Sequence, residues 1–186
     1  MSQKMTATPA STNSFNRGMV IENLNLGGGL GVDYVNPNDN PMANFSEYFK
    51  LINENLVVAP GQHVHFEPGR ALVGQCGHLI SRVLYVKVGQ KKKFAILDCG
   101  MNDLIRPALY QANHAIENLT SVSKRRMRYD VVGPVCESSD QFGKNIILPQ
   151  TQRGDLIALH TAGAYGQVMG MRYNQRDLAK AYYSDE

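Results

Sequence analysis

The chain has 186 residues, 43% of them hydrophobic and 19% charged, enough apolar matter for a real core and not the composition of a disordered protein. A net charge of +3 calls for neither nucleic acid nor a membrane surface, and no run approaches the roughly 18 apolar residues that a membrane span needs. Three scattered cysteines (Cys76, Cys99, Cys136), without a CxxC pair or a secretory signal, read as reduced thiols of a cytoplasmic protein with no zinc site.

Residues 1–18 are polar and Ser/Thr/Asn-rich, and read as a flexible lead-in. A half-alternating strand is expected from Met19 to Leu26, running into Gly27-Gly28-Gly29-Leu30-Gly31. Such a run is either a cradle of bare main-chain N–H groups for a phosphate or a plain turn; it fits neither GxGxxG nor GxxxxGK[ST]. Apolar residues at Phe45, Tyr48, Phe49, Ile52 and Leu56 keep helical spacing and predict a helix over that stretch. His63-Val64-His65-Phe66 then alternates as a strand, which Pro68 and Gly69 break, presenting Glu67 and Arg70 at its end. Strand, loop, helix and the strand ending at Arg70 make a βαβ unit. A parallel sheet needs more than two strands, so its other strands are missing or come from another molecule.

From Ala71 the character changes. Leu79–Val88 and Lys93–Leu97 read as a hairpin joined by Gly89-Gln90-Lys91-Lys92. The cluster Lys91-Lys92-Lys93 is expected to be a solvated tip and edge protection rather than a nucleic-acid patch. Asp103 is expected to cap a helical stretch from Leu104 to Asn118, with Pro107 tolerated in its first turn. Another strand, Tyr129–Val132, breaks at Gly133-Pro134, and Gly154–His160 is the last hairpin element, leading into Thr161–Gly166. Residues 71–186 thus read as a mainly antiparallel β domain with one inserted helix.

Several residues stand out chemically. Glu67 and Arg70, three apart, either clamp a zwitterionic or phosphorylated molecule or form a local surface ion pair. Cys136, after a Gly-Pro break and beside Glu137, is either an accessible proton-transfer thiol or a small buried side chain; for Cys76 and Cys99 burial is the expectation. His63 and His65 share a strand face without a third ligand, so a supporting or core role is expected and no metal. Arg106 and Tyr110, at i and i+4, either bind a carboxylate or form an ordinary amphipathic pair.

Taken together, Gly27–Gly31, Glu67-Pro68-Gly69-Arg70, Asp103–Tyr110, Cys136-Glu137-Ser138 and Ala162–Gly166 occur in the order and approximate spacing of a known family. Over residues 19–186 the chain resembles the diaminopimelate decarboxylases, which use pyridoxal 5'-phosphate (PLP) within the wider ornithine, diaminopimelate and arginine decarboxylase family. The resemblance implies the last βα units of a PLP-binding (β/α)8 barrel over 19–70, followed over 71–186 by a mainly antiparallel β-barrel or sandwich. It implies that Gly28 and Gly29 hold the cofactor phosphate with Tyr165, and that Glu67 faces the pyridinium nitrogen with Gly69 and Arg70 beside it. Arg70 and Arg106, with Tyr110, would bind the distal carboxylate of the amino-acid substrate, Glu137 its distal ammonium, and Tyr165 would touch substrate as well. Cys136 would donate a proton across a homodimer interface. Glu137 after the cysteine, with Arg106 and Tyr110, favours diaminopimelate over a simpler substrate.

Two departures are visible. Ser139 replaces a usual glycine, which bears on loop geometry and not on chemistry. Family members are about twice as long; their N-terminal half supplies the cofactor-binding lysine and a stacking histidine, and here Lys4 is the only lysine before the glycine loop. The expectation is therefore that the barrel half is lacking and that the isolated chain turns over little substrate. The rival readings are a dimerising subunit or relic without catalysis, and a related decarboxylase for ornithine, arginine or carboxynorspermidine. Neither nucleic acid nor membrane is an expected partner.

Overall fold

The computed structural model describes residues 21–184, so the lead-in read over 1–18 and the start of the strand read from Met19 lie outside the described residues. What is described of that strand is short: β1, Asn23–Asn25, pairs in parallel with β2, His63–His65. Between them runs helix α1, Phe45–Asn55, close to its predicted span. Asn44 caps it by accepting from the main-chain N–H of Glu47 at 3.1 Å. Phe45, Tyr48 and Phe49 form an aromatic stripe on which Phe66 packs edge-on, 5.1 Å from Phe49.

The βαβ unit is as expected, but its second strand does not reach Arg70. β2 stops at His65, and Gly69–Val73 is a short helix, α2, that continues into a 3-10 turn over Gly74–Cys76. Pro68 explains both facts: it cannot donate to a ladder, and its fixed φ suits the entry of a helix.

A second sheet forms the bulk of the chain. Its strands are β3 (Leu79–Val88), β4 (Lys93–Leu97), β5 (Ile116–Asn118), β6 (Arg126–Val132), β7 (Gln141–Pro149) and β8 (Leu156–Leu159). They lie in the order β5-β8-β3-β4-β6-β7, antiparallel throughout except for the parallel pair β4–β6. The outer strands come together: a Cβ on Gly143 of β7 would stand 3.1 Å from Cδ1 of Ile116 in β5. The sheet is thus a nearly closed barrel, mainly antiparallel as expected. Val83, Leu97, Tyr129, Val131, Leu148 and Ile157 fill its interior and are almost wholly buried. Each such side chain stabilises the fold by about 1.5–3 kcal/mol.

Four expectations need correction. The helix read from Leu104 to Asn118 is only one turn, α3, Arg106–Tyr110, because Gln111 adopts a left-handed φ of 53° and turns the chain back into β5. Pro107 does lie in its first turn, whereas Asp103 caps a turn instead, accepting from the main-chain N–H of Gly100 at 2.9 Å. The lysine tip does not protect an edge, since β4 lies inside the sheet; Lys92 forms an ion pair with buried Asp130 at 2.7 Å. Burial pushes the Asp130 carboxyl up, but Lys92 and the main-chain N–H of Asn145 outweigh it and hold it below the usual range. Third, β8 is no hairpin partner of its predecessor, for it inserts between β5 and β3. Last, Cys99 is buried, with its thiol pushed far up by burial, but Cys76 is exposed, because its short turn lies on the surface.

Candidate functional site

The glycine run after β1 is shaped by its neighbours. The Asn25 side-chain amide donates to the Glu67 carboxylate at 2.5 Å, while its carbonyl accepts from Gly27 N–H at 2.8 Å. Glu67 N–H donates to the Gly27 carbonyl at 2.7 Å, and the Tyr48 hydroxyl donates to the Gly28 carbonyl at 2.8 Å. Gly27 and Gly29 have φ of 67° and 88°, which favours glycine. At Gly28 the reason is space, because a Cβ there would stand 2.5 Å from the Glu67 carbonyl oxygen. The carbonyls of Gly27 and Gly28 are thus engaged, while the N–H groups of Gly28, Gly29, Leu30 and Gly31 have no acceptor among the described residues. A loop with satisfied acceptors and free donors suits an anion.

Arg70 stands on α2 in the same neighbourhood. A Cβ on Gly74 would touch its Cγ at 3.6 Å and Cγ2 of Val32 at 3.7 Å, so the residue after the glycine loop and Arg70 flank one spot. The next residues lead on to a second cationic centre. The guanidinium of Arg106 lies 4.8 Å from the centroid of Tyr34 and 6.0 Å from that of Tyr165. Thr161 O–H donates to the Asp33 carbonyl at 3.4 Å, which holds the Tyr165 loop against the segment carrying Tyr34. Thr161 and Tyr165 both have positive φ, 59° and 67°.

Arg106 is buried to 7% exposure, yet no carboxylate pairs with it among the described residues. Its hydrogen-bond acceptor is the Nε2 of His114, 3.2 Å from Nη1. A buried cation facing only a neutral ring and two aromatic faces is costly unless an anion completes it.

The predicted site residues therefore fall into two groups. Gly28, Gly29, Glu67, Gly69 and Arg70 surround the glycine loop and the α2 entry, and Arg106 with Tyr165 adjoins them through Tyr34. Cys136 and Glu137 form the second group, on the loop between β6 and β7: Cys136 is exposed with Asn174 Nδ2 3.9 Å from its sulfur, and Glu137 accepts from the Tyr173 hydroxyl at 3.3 Å. The Glu137 carboxylate pushes the Tyr173 hydroxyl above its ordinary range. Tyr110 is 62% exposed, whereas Arg106 is buried. His63 and His65 are exposed, and His65 meets the Asn23 side chain at 2.9 Å.

Sequence reasoning missed Tyr34 and His114. Tyr34 follows the glycine run closely, a usable hint; His114 belongs to no motif, and only the turn after α3 brings it under Arg106.

Three comparisons bear on these groups. Residues 13–163 match the family model described as the C-terminal sheet domain of pyridoxal-dependent decarboxylases. The chain is 59% identical over 91% of its length to the diaminopimelate decarboxylase of Bacteroides thetaiotaomicron, of which it covers 44%. Against the Helicobacter pylori enzyme of that name it is 42% identical over 86% of its length, covering 38% of the relative. It therefore spans about two fifths of the length of the curated relatives it matches. The crystal structure of the Helicobacter pylori diaminopimelate decarboxylase complexed with L-lysine superposes with a TM-score of 0.72 at 38% identity, covering 90% of this chain and 41% of that one. A lysine/ornithine decarboxylase from Vibrio vulnificus, complexed with cadaverine, shares the fold with a TM-score of 0.77 at 24% identity, over 90% of this chain and 45% of that one.

Proposed function

The chain belongs to the pyridoxal-dependent decarboxylases, and on that premise we propose that it works as the C-terminal part of a diaminopimelate decarboxylase, forming L-lysine and carbon dioxide from meso-diaminopimelate. In this reading residues 19–70 complete a cofactor-binding barrel and 71–186 form the β domain that closes the site. The cytoplasm is its setting, where a thiol such as Cys136 stays reduced.

The residues present fit PLP. Free N–H groups at Gly28 and Gly29 suit its phosphate, with Tyr165 alongside; the Glu67 carboxylate, oriented by Asn25, suits a protonated ring nitrogen, with Gly69 and Arg70 at the adjoining helix entry. When bound, PLP supplies the electron sink that receives the pair left behind by carbon dioxide.

This chain's own residues serve the substrate and the proton transfer. Arg106 and Arg70 hold the distal carboxylate of the substrate, the one that the reaction does not remove, and Tyr110 lies at the rim. Glu137 takes the distal ammonium. The Cys136 sulfhydryl delivers a proton to the carbon that has lost its carboxylate, leaving a thiolate. Cys136 and Glu137 are exposed and have side-chain hydrogen-bond contacts with Asn174 and Tyr173, and none with Arg106 or Glu67 among the described residues, which supports their serving the site of a second copy in a homodimer.

The observation that carries the reading is Arg106: a buried guanidinium without a carboxylate partner among the described residues, beside Tyr34 and Tyr165, awaits an anionic ligand. The test uses the holoenzyme, this chain together with PLP and the barrel half that its relatives carry in addition, and offers it meso-diaminopimelate, ornithine and arginine separately. Carbon dioxide release is expected from the first alone, and a preference for ornithine overturns the assignment.

A further inference from the structure

Arg106 lies on a helix of a single turn, which cannot by itself fix so long a side chain. Its position is set from below by His114, itself 1% exposed. The Nδ1 of His114 lies 2.8 Å from the main-chain carbonyl of His160, a group that only accepts, so Nδ1 carries the hydrogen. The Nε2 faces Nη1 of Arg106 at 3.2 Å, and a guanidinium only donates, so Nε2 is bare. One species meets both demands: the neutral ring in its Nδ1–H form. Tyr34 packs against this ring at nearly a right angle, 5.1 Å between centroids and 80° between planes.

We propose that His114 is a positioning residue for substrate recognition: by accepting from Nη1 it fixes the guanidinium of Arg106 so that its remaining donors face the distal carboxylate. This deepens the function proposed above and rests on it. The arrangement uses a neutral acceptor where a carboxylate would be the obvious partner. An aspartate there would neutralise Arg106 and compete with the substrate; a neutral imidazole orients the cation and leaves its charge for the ligand. His160 extends the support, since the chain segment that gives its carbonyl to His114 is anchored by its own ring, with Nε2 3.0 Å from Glu117 and Nδ1 3.1 Å from His78.

L-Lysine keeps the distal carboxylate, so its binding reads this site without turnover. In the holoenzyme, His114→Leu is expected to weaken L-lysine binding, measured by calorimetry, on the order of tenfold or more, with kcat at saturating substrate nearly unchanged. His114→Gln offers both a carbonyl acceptor and an amide donor, and is expected to restore affinity to near the parent value. Unchanged affinity in the leucine variant, or equal losses in both variants, overturns the proposal. Should the leucine variant not fold, nitrogen-15 spectra of the unsubstituted protein decide: a hydrogen on Nε2 of His114 at neutral pH overturns it, a bare Nε2 upholds it. Absence of diaminopimelate turnover in the parent enzyme counts instead against the function on which it rests.

Discussion

Gly77 and Gly163 meet main chain to main chain: a Cβ on Gly77 would stand 2.6 Å from the Gly163 Cα. Hydrogen bonds from Ala162 N–H to the Gly77 carbonyl (2.8 Å) and from Gly163 N–H to the Gly74 carbonyl (3.0 Å) close the contact. Through it the segment after α2, which carries Arg70, is fastened to the loop that carries Tyr165. Gly163→Ala would drive a methyl into the Val73 carbonyl, and a backbone obstacle cannot step aside. The variant is expected to lose about 1–3 kcal/mol or more, read as a lower urea midpoint at unchanged m. If Tyr165 adjoins the cofactor phosphate as proposed, PLP affinity is expected to fall as Tyr165 shifts.

Asp140 does for the Cys136 loop what that glycine pair does for Tyr165. Its carboxylate accepts from Val135 N–H and Met101 N–H, each at 2.7 Å, and its own N–H donates to the Glu137 carbonyl at 3.0 Å. Asp140→Asn keeps the size but sets an NH2 against one of those main-chain donors. A stability loss of about 1–3 kcal/mol is expected, since one partly buried main-chain donor is left unsatisfied. A fall in kcat larger than any rise in KM should accompany it, and urea unfolding with steady-state kinetics on the same preparation reads both.

If Cys136 serves the neighbouring protomer, two inactive variants should complement one another. Cys136→Ala and Glu67→Ala, each nearly inactive alone, are to be mixed, unfolded and refolded together. Random pairing would put one intact site in each mixed dimer, restoring about one quarter of the parent activity. No recovery, with mixed dimers demonstrated by mass, would place Cys136 and Glu67 in the same chain's site.

The legible part of this fold was the part with a period. The hairpin β3–β4 and helix α1 stand where alternation and the i, i+3, i+4 spacing put them. Strand β7 was invisible because Gly143, Lys144 and Asn145 interrupt its alternation; Asn145 turns to a φ of 54°, and the ladder with β6 shifts register nearby. Strand β5 is three residues long, too short to show a period, and helical spacing before it pointed the other way. In the site, the glycine loop, Glu67 and Arg106 announce themselves as motifs. Tyr34 and His114 do not, because their roles come from tertiary neighbours and not from spacing.

Acid should weaken the fold through His114. Burial above all, with the cation of Arg106 adding to it against the pull of the His160 carbonyl, holds the ring below its ordinary value of 6.5. Tyr34 and the His160 segment, with Glu117 beyond it, are the other groups packed around it. Below about pH 6.5 the unfolded chain takes up a proton that the folded ring refuses, so stability is full above that pH and is lost as pH falls towards the folded value. A slope of up to about 1.4 kcal/mol per pH unit is expected from this ring, and His114→Gln should remove it. Denaturant titrations between pH 5 and 7 on both proteins provide the check, and identical slopes would count against a neutral, buried His114.

The contact between Thr161 and Asp33 spans 128 residues of chain. A closure that long returns no stabilisation until almost everything between its ends is already in place, whereas the β3–β4 hairpin forms from immediate neighbours. Refolding molecules will therefore complete their barrel before the Tyr34 and Tyr165 segments come together. The surroundings of Arg106 are thus the last thing the chain builds, so a ligand that binds there should act on the final kinetic phase and leave the earlier ones as they were.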